Sequence, residues 1–260
     1  MKVGLIQLNA NGEKLKNIDN ACRLVRKAAS LGAKVIILPE VFNYRGSLVE
    51  EELYNKIAEV IPGESIIPLM KIAKQNNINI IAGSIYEKSE VKNKCYNTCV
   101  VIDRKGEVIS KYRKINLFKA NIDGYEVNES KSFISGDSTI ICHLDKVKFG
   151  ISICYDLRFP ELYREYYSKN VNIIVVLSSF TLKTGRLHWE VLLRARAIEN
   201  YCYVLAPNQY GLDGNKIETY GNTMIVDPDG VIIERLNNND ENIIVSDLNI
   251  SNNIKYPSIN

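Results

Sequence analysis

The sequence predicts an α/β fold in which helices cover the faces of sheets. Three observations carry that expectation. Strand and helix patterns alternate along the chain, the order that builds α/β layers. Some strands are short and wholly apolar, as in Val35-Ile36-Ile37-Leu38, which suits strands covered on both faces. No linker or compositional break divides the 260 residues, a length at the upper range for one domain, so 1–260 reads as a single domain.

The elements follow in order. Residues 2–8 read as a strand. Leu15, Ile18, Cys22, Val25 and Ala29 mark one face of a helix, with Gly32 where a helix C-terminus wants glycine. A buried strand at 35–38 follows. Ile66, Leu69, Met70 and Ala73 mark a second amphipathic helix, and 78–85 and 96–102 are strands. Residues 147–153 alternate as a strand, 160–168 form a helix, and 171–177 a buried strand. A helix over 187–200 carries Glu190 and Arg194 at i,i+4. Later strands fall at 203–206, 223–226, 231–234 and 243–245. Asn-rich pieces at 237–239 and 252–253 read as loops. Val100-Val101-Ile102-Asp103-Arg104-Lys105-Gly106 resembles Met224-Ile225-Val226-Asp227-Pro228-Asp229-Gly230, each followed by an apolar strand. The pair is either an internal duplication, one hairpin per half, or two ordinary hairpins with like turn chemistry.

Composition excludes several classes. Apolar residues make up 46% and charged residues 24%, ordinary for a soluble globular protein. A net charge of +3 gives no electrostatic case for nucleic acid or an anionic membrane. No stretch approaches the roughly 20 apolar residues that span a bilayer. The N-terminal apolar run is too short for a signal peptide, so the expected compartment is the cytoplasm. Six cysteines are scattered without a CxxC pair, so no zinc site is expected. Cys95 and Cys99 share one predicted strand, which separates them by about 13 Å, too far for a disulfide.

One cysteine departs from the default of a small buried hydrophobe. In Gly150-Ile151-Ser152-Ile153-Cys154-Tyr155-Asp156-Leu157-Arg158-Phe159-Pro160-Glu161, Cys154 ends a strand and opens a helix. A side chain on such a turn stands above the sheet edge, as in a nucleophile elbow. A helix N-terminus there lowers a thiol pKa, and the Tyr155 amide can face an oxyanion. Glu40 directly follows the strand in Val35-Ile36-Ile37-Leu38-Pro39, where open α/β sheets place their sites and where a desolvated carboxylate can act as a base. The plainer reading is a solvated loop glutamate. Lys114 lies in Lys111-Tyr112-Arg113-Lys114-Ile115-Asn116-Leu117-Phe118, which composition alone reads as a solvated face.

Taken jointly, Leu38-Pro39-Glu40, Tyr112-Arg113-Lys114 and Cys154-Tyr155-Asp156-Leu157-Arg158-Phe159-Pro160-Glu161 resemble the nitrilase superfamily of carbon–nitrogen hydrolases. The resemblance runs from Val3 to about Leu248. Phe180 to Gly185, His188 to Asn200 and Tyr96-Asn97-Thr98 make it closest to the branch of deaminated glutathione amidase and omega-amidase. It implies a four-layer α-β-β-α sandwich, with two chains paired in a homodimer through the 188–200 region. It implies Glu40 as general base, Lys114 as the cation for the oxyanion, Cys154 as nucleophile and Glu129, in Val127-Asn128-Glu129-Ser130, as the group that orients the lysine. The implied substrate is a small carboxylate-bearing amide, either deaminated glutathione or a 2-oxo acid omega-amide such as 2-oxoglutaramate. No metal or other cofactor is implied. N-carbamoyl amino acids and aliphatic amides are the alternative substrates within the superfamily.

Arg158, one turn past Cys154, could take a substrate carboxylate or form a structural ion pair, and Phe180 and Thr181 could line the pocket. Two departures from the close relatives stand out. Tyr220-Gly221-Asn222-Thr223 has asparagine where they usually have histidine, and the chain ends at Tyr256-Pro257-Ser258-Ile259-Asn260, short of their usual basic tail that reaches across the dimer. A papain-like Cys–His hydrolase would need His143 or His188, and neither lies in a matching motif. A non-catalytic binding module of this fold would be expected to have lost one of the four catalytic side chains.

Overall fold

The computed structural model describes residues 1–46, 49–122, 125–237 and 240–250. The loop expected at 252–253, the terminal 256–260 and two residues of the 237–239 loop lie outside them. In chain order the first half comprises β1 (Lys2–Gln7), α1 (Lys14–Ser30), β2 (Val35–Ile37), and α2 (Glu50–Glu52) running into a π-helical turn at Leu53–Ile57. Next come α3 (Ile67–Asn76), β3 (Asn79–Lys88), β4 (Cys95–Ile102) and β5 (Val108–Arg113). A small hairpin, β6 (Lys119–Ile122) and β7 (Tyr125–Asn128), leads through a 3₁₀ turn at Glu129–Lys131 to the second half. There follow β8 (Ile141–Leu144), β9 (Val147–Ile153), a 3₁₀ helix at Cys154–Arg158, α4 (Pro160–Ser168), β10 (Ile173–Leu177), α5 (Leu182–Asn200) and β11 (Tyr203–Ala206). The hairpin β12 (Tyr210–Leu212) and β13 (Glu218–Tyr220) precedes β14 (Met224–Val226), β15 (Ile232–Arg235) and β16 (Asn242–Asp247).

The strands form two six-stranded mixed sheets, ordered β16-β1-β2-β3-β4-β5 and β15-β14-β11-β10-β9-β8. In each, three central strands run parallel (β1, β2, β3 and β9, β10, β11) and the flanking strands antiparallel. The alternation of side chains decides the layers. Val3, Leu5, Val35 and Ile37 face Phe149, Ile151, Ile173 and Val175 across the space between the sheets. Ile6, Ile36 and Ile80 turn the other way, onto Ile18, Cys22 and Val25 of α1 and Leu69 and Ile72 of α3. Ile174, Val176 and Val204 likewise meet Tyr163 and Tyr166 of α4 and Trp189 and Leu193 of α5. The architecture is therefore the expected α-β-β-α sandwich, and strands covered on both faces explain the unbroken apolar runs. Leu15, expected on the buried face of α1, is 61% exposed at its first turn.

The two similar hairpins occupy equivalent places. Each joins the two strands beyond the third parallel strand of its sheet, β4–β5 beyond β3 and β14–β15 beyond β11. Their turns carry the same bonds: Asp103 Oδ1 accepts from the Lys105 and Glu107 amides, and Asp227 Oδ1 from those of Asp229 and Val231. Gly106 and Gly230 both hold positive φ, 82° and 80°. Shared turn and shared topology favour one hairpin per duplicated half.

Candidate active site

The site sits where strands of both sheets end. Ile153 closes β9, and Cys154 turns the chain sharply with φ 48° before the 3₁₀ helix, a strained conformation for a residue with a side chain. Asp156 pins that elbow. Its buried carboxylate accepts from the Ile153 amide at 2.9 Å, Tyr112 Oη at 2.7 Å, the Asn116 amide at 2.8 Å and Asn116 Nδ2 at 2.9 Å. The elbow is thereby tied to the segment that carries Lys114. Cys154 is half-buried, and the other five cysteines are buried; all six are unpaired.

One expectation about Cys154 changes. The helix it opens is a single 3₁₀ segment of five residues, with the α-helix starting at Pro160 as expected. The thiol pKa is raised, not lowered: burial pushes it up, the Glu40 carboxylate adds to that, and the Lys114 ammonium offsets only part. A short 3₁₀ turn lacks the aligned peptide dipoles that would have favoured a thiolate.

Glu40 and Lys114 are buried at 3% and 1% exposure. Lys114 Nζ donates to Glu40 Oε1 at 3.1 Å and to Glu129 Oε1 at 2.9 Å. Burial opposes the lysine charge, but the Glu129 and Glu40 carboxylates outweigh it and raise its pKa well above the ordinary value. The Glu129 pKa is raised by its burial, with Lys114 pulling the other way. Each carboxylate is held from a further side. Glu40 accepts from Asn97 Nδ2 at 2.9 Å and from the Ser179 amide at 2.8 Å, and Glu129 Oε2 from the Phe118 amide at 2.7 Å. The sharp turn that delivers Glu40 depends on Gly83, which sits in a bulge of β3 at φ 51°; a Cβ there would lie 2.0 Å from the Pro39 carbonyl oxygen. Glu87 of β3 fixes the end of β5 just before Lys114 through Lys111 and Arg113, each at 2.8 Å.

Glu40, Glu129 and Cys154 share one pocket with Tyr155, Arg158, Phe180 and Thr181, and Lys114 lies behind its wall, bonded to Glu40 and Glu129. As second residue of its 3₁₀ helix, Tyr155 has an amide with no acceptor within that helix. Arg158 makes no ion pair among the described residues. It donates from Nη1 and Nη2 to His188 Nδ1 at 3.3 and 3.2 Å and packs 5.4 Å from the Phe180 ring centroid. Neither histidine lines the pocket, and His143 is exposed on β8. Asn222 stands at φ 55°, a conformation asparagine tolerates, and its Oδ1 accepts from Arg235 at 2.7 and 2.9 Å. Sequence reasoning missed Asn97 and Ser179, which hold Glu40, and Arg45 and Tyr86, which line the pocket. Ser179 follows β10 as Glu40 follows β2, so the strand-end rule could have found it; Asn97 was seen only as part of a likeness. No cluster of three or more His, Cys, Asp or Glu side chains among the described residues could hold a metal ion.

This combination of fold and site places the chain in a class, the hydrolases built on a four-layer sandwich. The family model described as Carbon-nitrogen hydrolase matches residues 2–257. The omega-amidase NIT2 of Mus musculus is 38% identical over 250 residues, covering 96% of this chain and 88% of the relative. The deaminated glutathione amidase of Dictyostelium discoideum is 35% identical over 255 residues, again 96% and 88%. Among solved structures, Saccharomyces cerevisiae Nit3, a member of branch 10 of the nitrilase superfamily, superposes with a TM-score of 0.84 at 30% identity, covering 95% of this chain and 89% of that one. The chain belongs to the carbon–nitrogen hydrolase family of the nitrilase superfamily. It is an enzyme acting on carbon–nitrogen bonds other than peptide bonds.

Proposed function

We propose that the protein is an amidase that cleaves a small carboxylate-bearing amide through a Cys154 thioester. The observation that carries this is the buried chain of contacts joining Lys114 to Glu40 and Glu129 beside the Cys154 elbow. The raised thiol pKa means the nucleophile rests protonated and needs a base at the moment of attack. Glu40 takes the Cys154 proton as sulfur bonds to the amide carbon. Lys114 and the Tyr155 amide hold the oxyanion, and Glu129 keeps Lys114 charged and aimed. Glu40 then protonates the nitrogen, the carbon–nitrogen bond breaks and ammonia or an amine leaves. A water, giving its proton to Glu40, adds to the thioester; the acid departs and the thiol is regenerated.

The relatives' names and Arg158 support the substrate class. A guanidinium that lines the pocket with no carboxylate partner among the described residues suits a substrate carboxylate, as in deaminated glutathione or 2-oxoglutaramate. Release of ammonia or amine over an amide panel tests the reading. Acidic amides should be preferred over acetamide and butyramide. Lys114→Ala should lower kcat about 10²- to 10³-fold, and Arg158→Ala should reduce kcat/KM about 10- to 150-fold for acidic amides alone. Equal cleavage of acetamide and the oxo-acid amides would reject the substrate class, leaving N-carbamoyl amino acids or aliphatic amides. Intact catalytic side chains argue against a non-catalytic binding module.

The assembly proposed is a homodimer through α5. Leu187, Val191 and Ile198 lie along its outer face at 68%, 67% and 47% exposure, with Arg194 among them, three large apolar side chains that a partner would cover. Six unpaired cysteines suit a reducing compartment such as the cytoplasm, and one packed interface between the sheets supports reading the chain as one domain.

A further inference from the structure

The loop after β2 brings a second guanidinium into the pocket. Arg45 lies five residues past Glu40, lines the same cavity as Cys154 and is 4% exposed. A charge so buried ordinarily has a close carboxylate or a full set of short hydrogen bonds. Arg45 has neither. Its Nη1 reaches Asn9 Oδ1 at 3.3 Å and Gln209 Oε1 at 3.4 Å, and its Nη2 reaches Thr219 Oγ1 at 3.3 Å, all at the long end of the range. The nearest carboxylate oxygen, Asp213 Oδ2, is 3.9 Å away, while Asp213 Oδ1 is committed to the Asn215 and Ile217 amides of its own turn at 2.8 Å each. No described acceptor is bonded to Arg45 Nε.

A neutral donor lines the same pocket. Tyr86 lines the pocket at 8% exposure, its ring stacked on Phe133 at 5.4 Å and edge-on to Tyr44 at 6.2 Å. Its hydroxyl bonds to no described residue and lies within electrostatic reach of Glu40 and Glu129 and, more weakly, of Arg45. A guanidinium with spare donors and a phenol bonded to no described residue, lining one pocket, suit a carboxylate.

We propose that Arg45 and Tyr86 form a second anion subsite, so that the substrate carries a carboxylate at each end of the scissile amide, one held by Arg45 and one by Arg158. The inference rests on the amidase reading above. The two arginines come from different sheets, Arg45 from the loop after β2 and Arg158 from the turn after β9, so a ligand held by both would lie across the Glu40 and Cys154 ends. The matching class is an amino acid or short peptide N-acylated by a dicarboxylic acid, to which deaminated glutathione, among the substrates proposed above, belongs. A primary omega-amide would fill only one subsite.

Calorimetry on the Cys154→Ala protein tests this without turnover. Three ligands separate the ends: N-glutarylglycine with a carboxylate at both, glutaramate with one on the acyl side, and N-butyrylglycine with one on the amine side. The diacid should bind tightest. Arg45→Met should weaken it about tenfold or more, weaken one of the monoacids by a like factor and leave the other unchanged. Tyr86→Phe, which removes only a hydroxyl, should weaken the same two ligands several-fold and covers the case in which Arg45→Met fails to fold. Unchanged binding of all three ligands by Tyr86→Phe and Arg45→Met, or an equal loss for all three, would overturn the subsite. That result with an active wild-type amidase removes only this inference. A wild-type protein that releases neither ammonia nor amine from any amide removes the amidase reading as well.

Discussion

Cys154 illustrates how position and environment can pull a residue in different directions. Its elbow exposes the sulfur to the pocket, while burial and the Glu40 carboxylate keep the thiol protonated. The consequence is measurable. Because iodoacetamide reacts with thiolate, labelling of Cys154 should be selective over the five buried cysteines, yet its rate should still be climbing at about pH 9. A plateau below neutral pH would indicate a resting thiolate and remove the need for Glu40 as its base. Glu40 and Cys154 were legible in the sequence because each ends an apolar strand, a position with a structural meaning of its own. Lys114 was not, since a lysine in a basic run looks like surface until β5 carries it inward to two carboxylates. Arg45 and Tyr86 were illegible for a like reason: their role depends on what does not pair with them, and no local pattern records that.

At the scale of elements, the long apolar strands and helices were read in place, α4 to the residue over Pro160–Ser168, while α5 starts at Leu182, before the expected 187, and β3 runs on to Lys88. The missed pieces include the small hairpins β6–β7 and β12–β13 and edge strand β8, each of three or four residues, and the short α2 with its π-helical turn. Strands so short carry too few side chains for a period-two pattern to rise above noise. Their placement comes from tertiary contact, as when the β12–β13 connection packs Gly214 against the Arg45 carbonyl at 2.8 Å. The bulge in β3 is another such feature, and it bears directly on the site. Gly83→Ala would drive a Cβ into the Pro39 carbonyl and strain a left-handed backbone, so the chain should lose about 1–3 kcal/mol of stability. Because the same turn aims Glu40, kcat should fall about tenfold or more in the fraction that remains folded. Thermal unfolding and turnover measured together check this; a stable, fully active variant would show that the turn is not fixed from β3.

For the molecule as a whole, the two sheets repeat one plan: three parallel strands, then an antiparallel hairpin with an Asp-capped turn. The hairpin likeness in the sequence hinted at this, but only the shared strand order distinguishes it from common turn chemistry. The sandwich leaves Leu187, Val191 and Ile198 exposed on α5, and Val191→Glu should therefore convert the proposed dimer to a monomer in light scattering with the fold retained. A wild-type mass that stays monomeric at every concentration would contradict the proposed assembly. The central claim, that this fold exists to present Cys154 to an amide, is tested most directly by rapid quenching of the wild-type enzyme during turnover, followed by peptide mass spectrometry. The account predicts an acyl adduct of the substrate's acid portion on the Cys154 peptide, absent in an inactive Cys154→Ala protein. Continued turnover by Cys154→Ala, or an adduct on another residue, would contradict it.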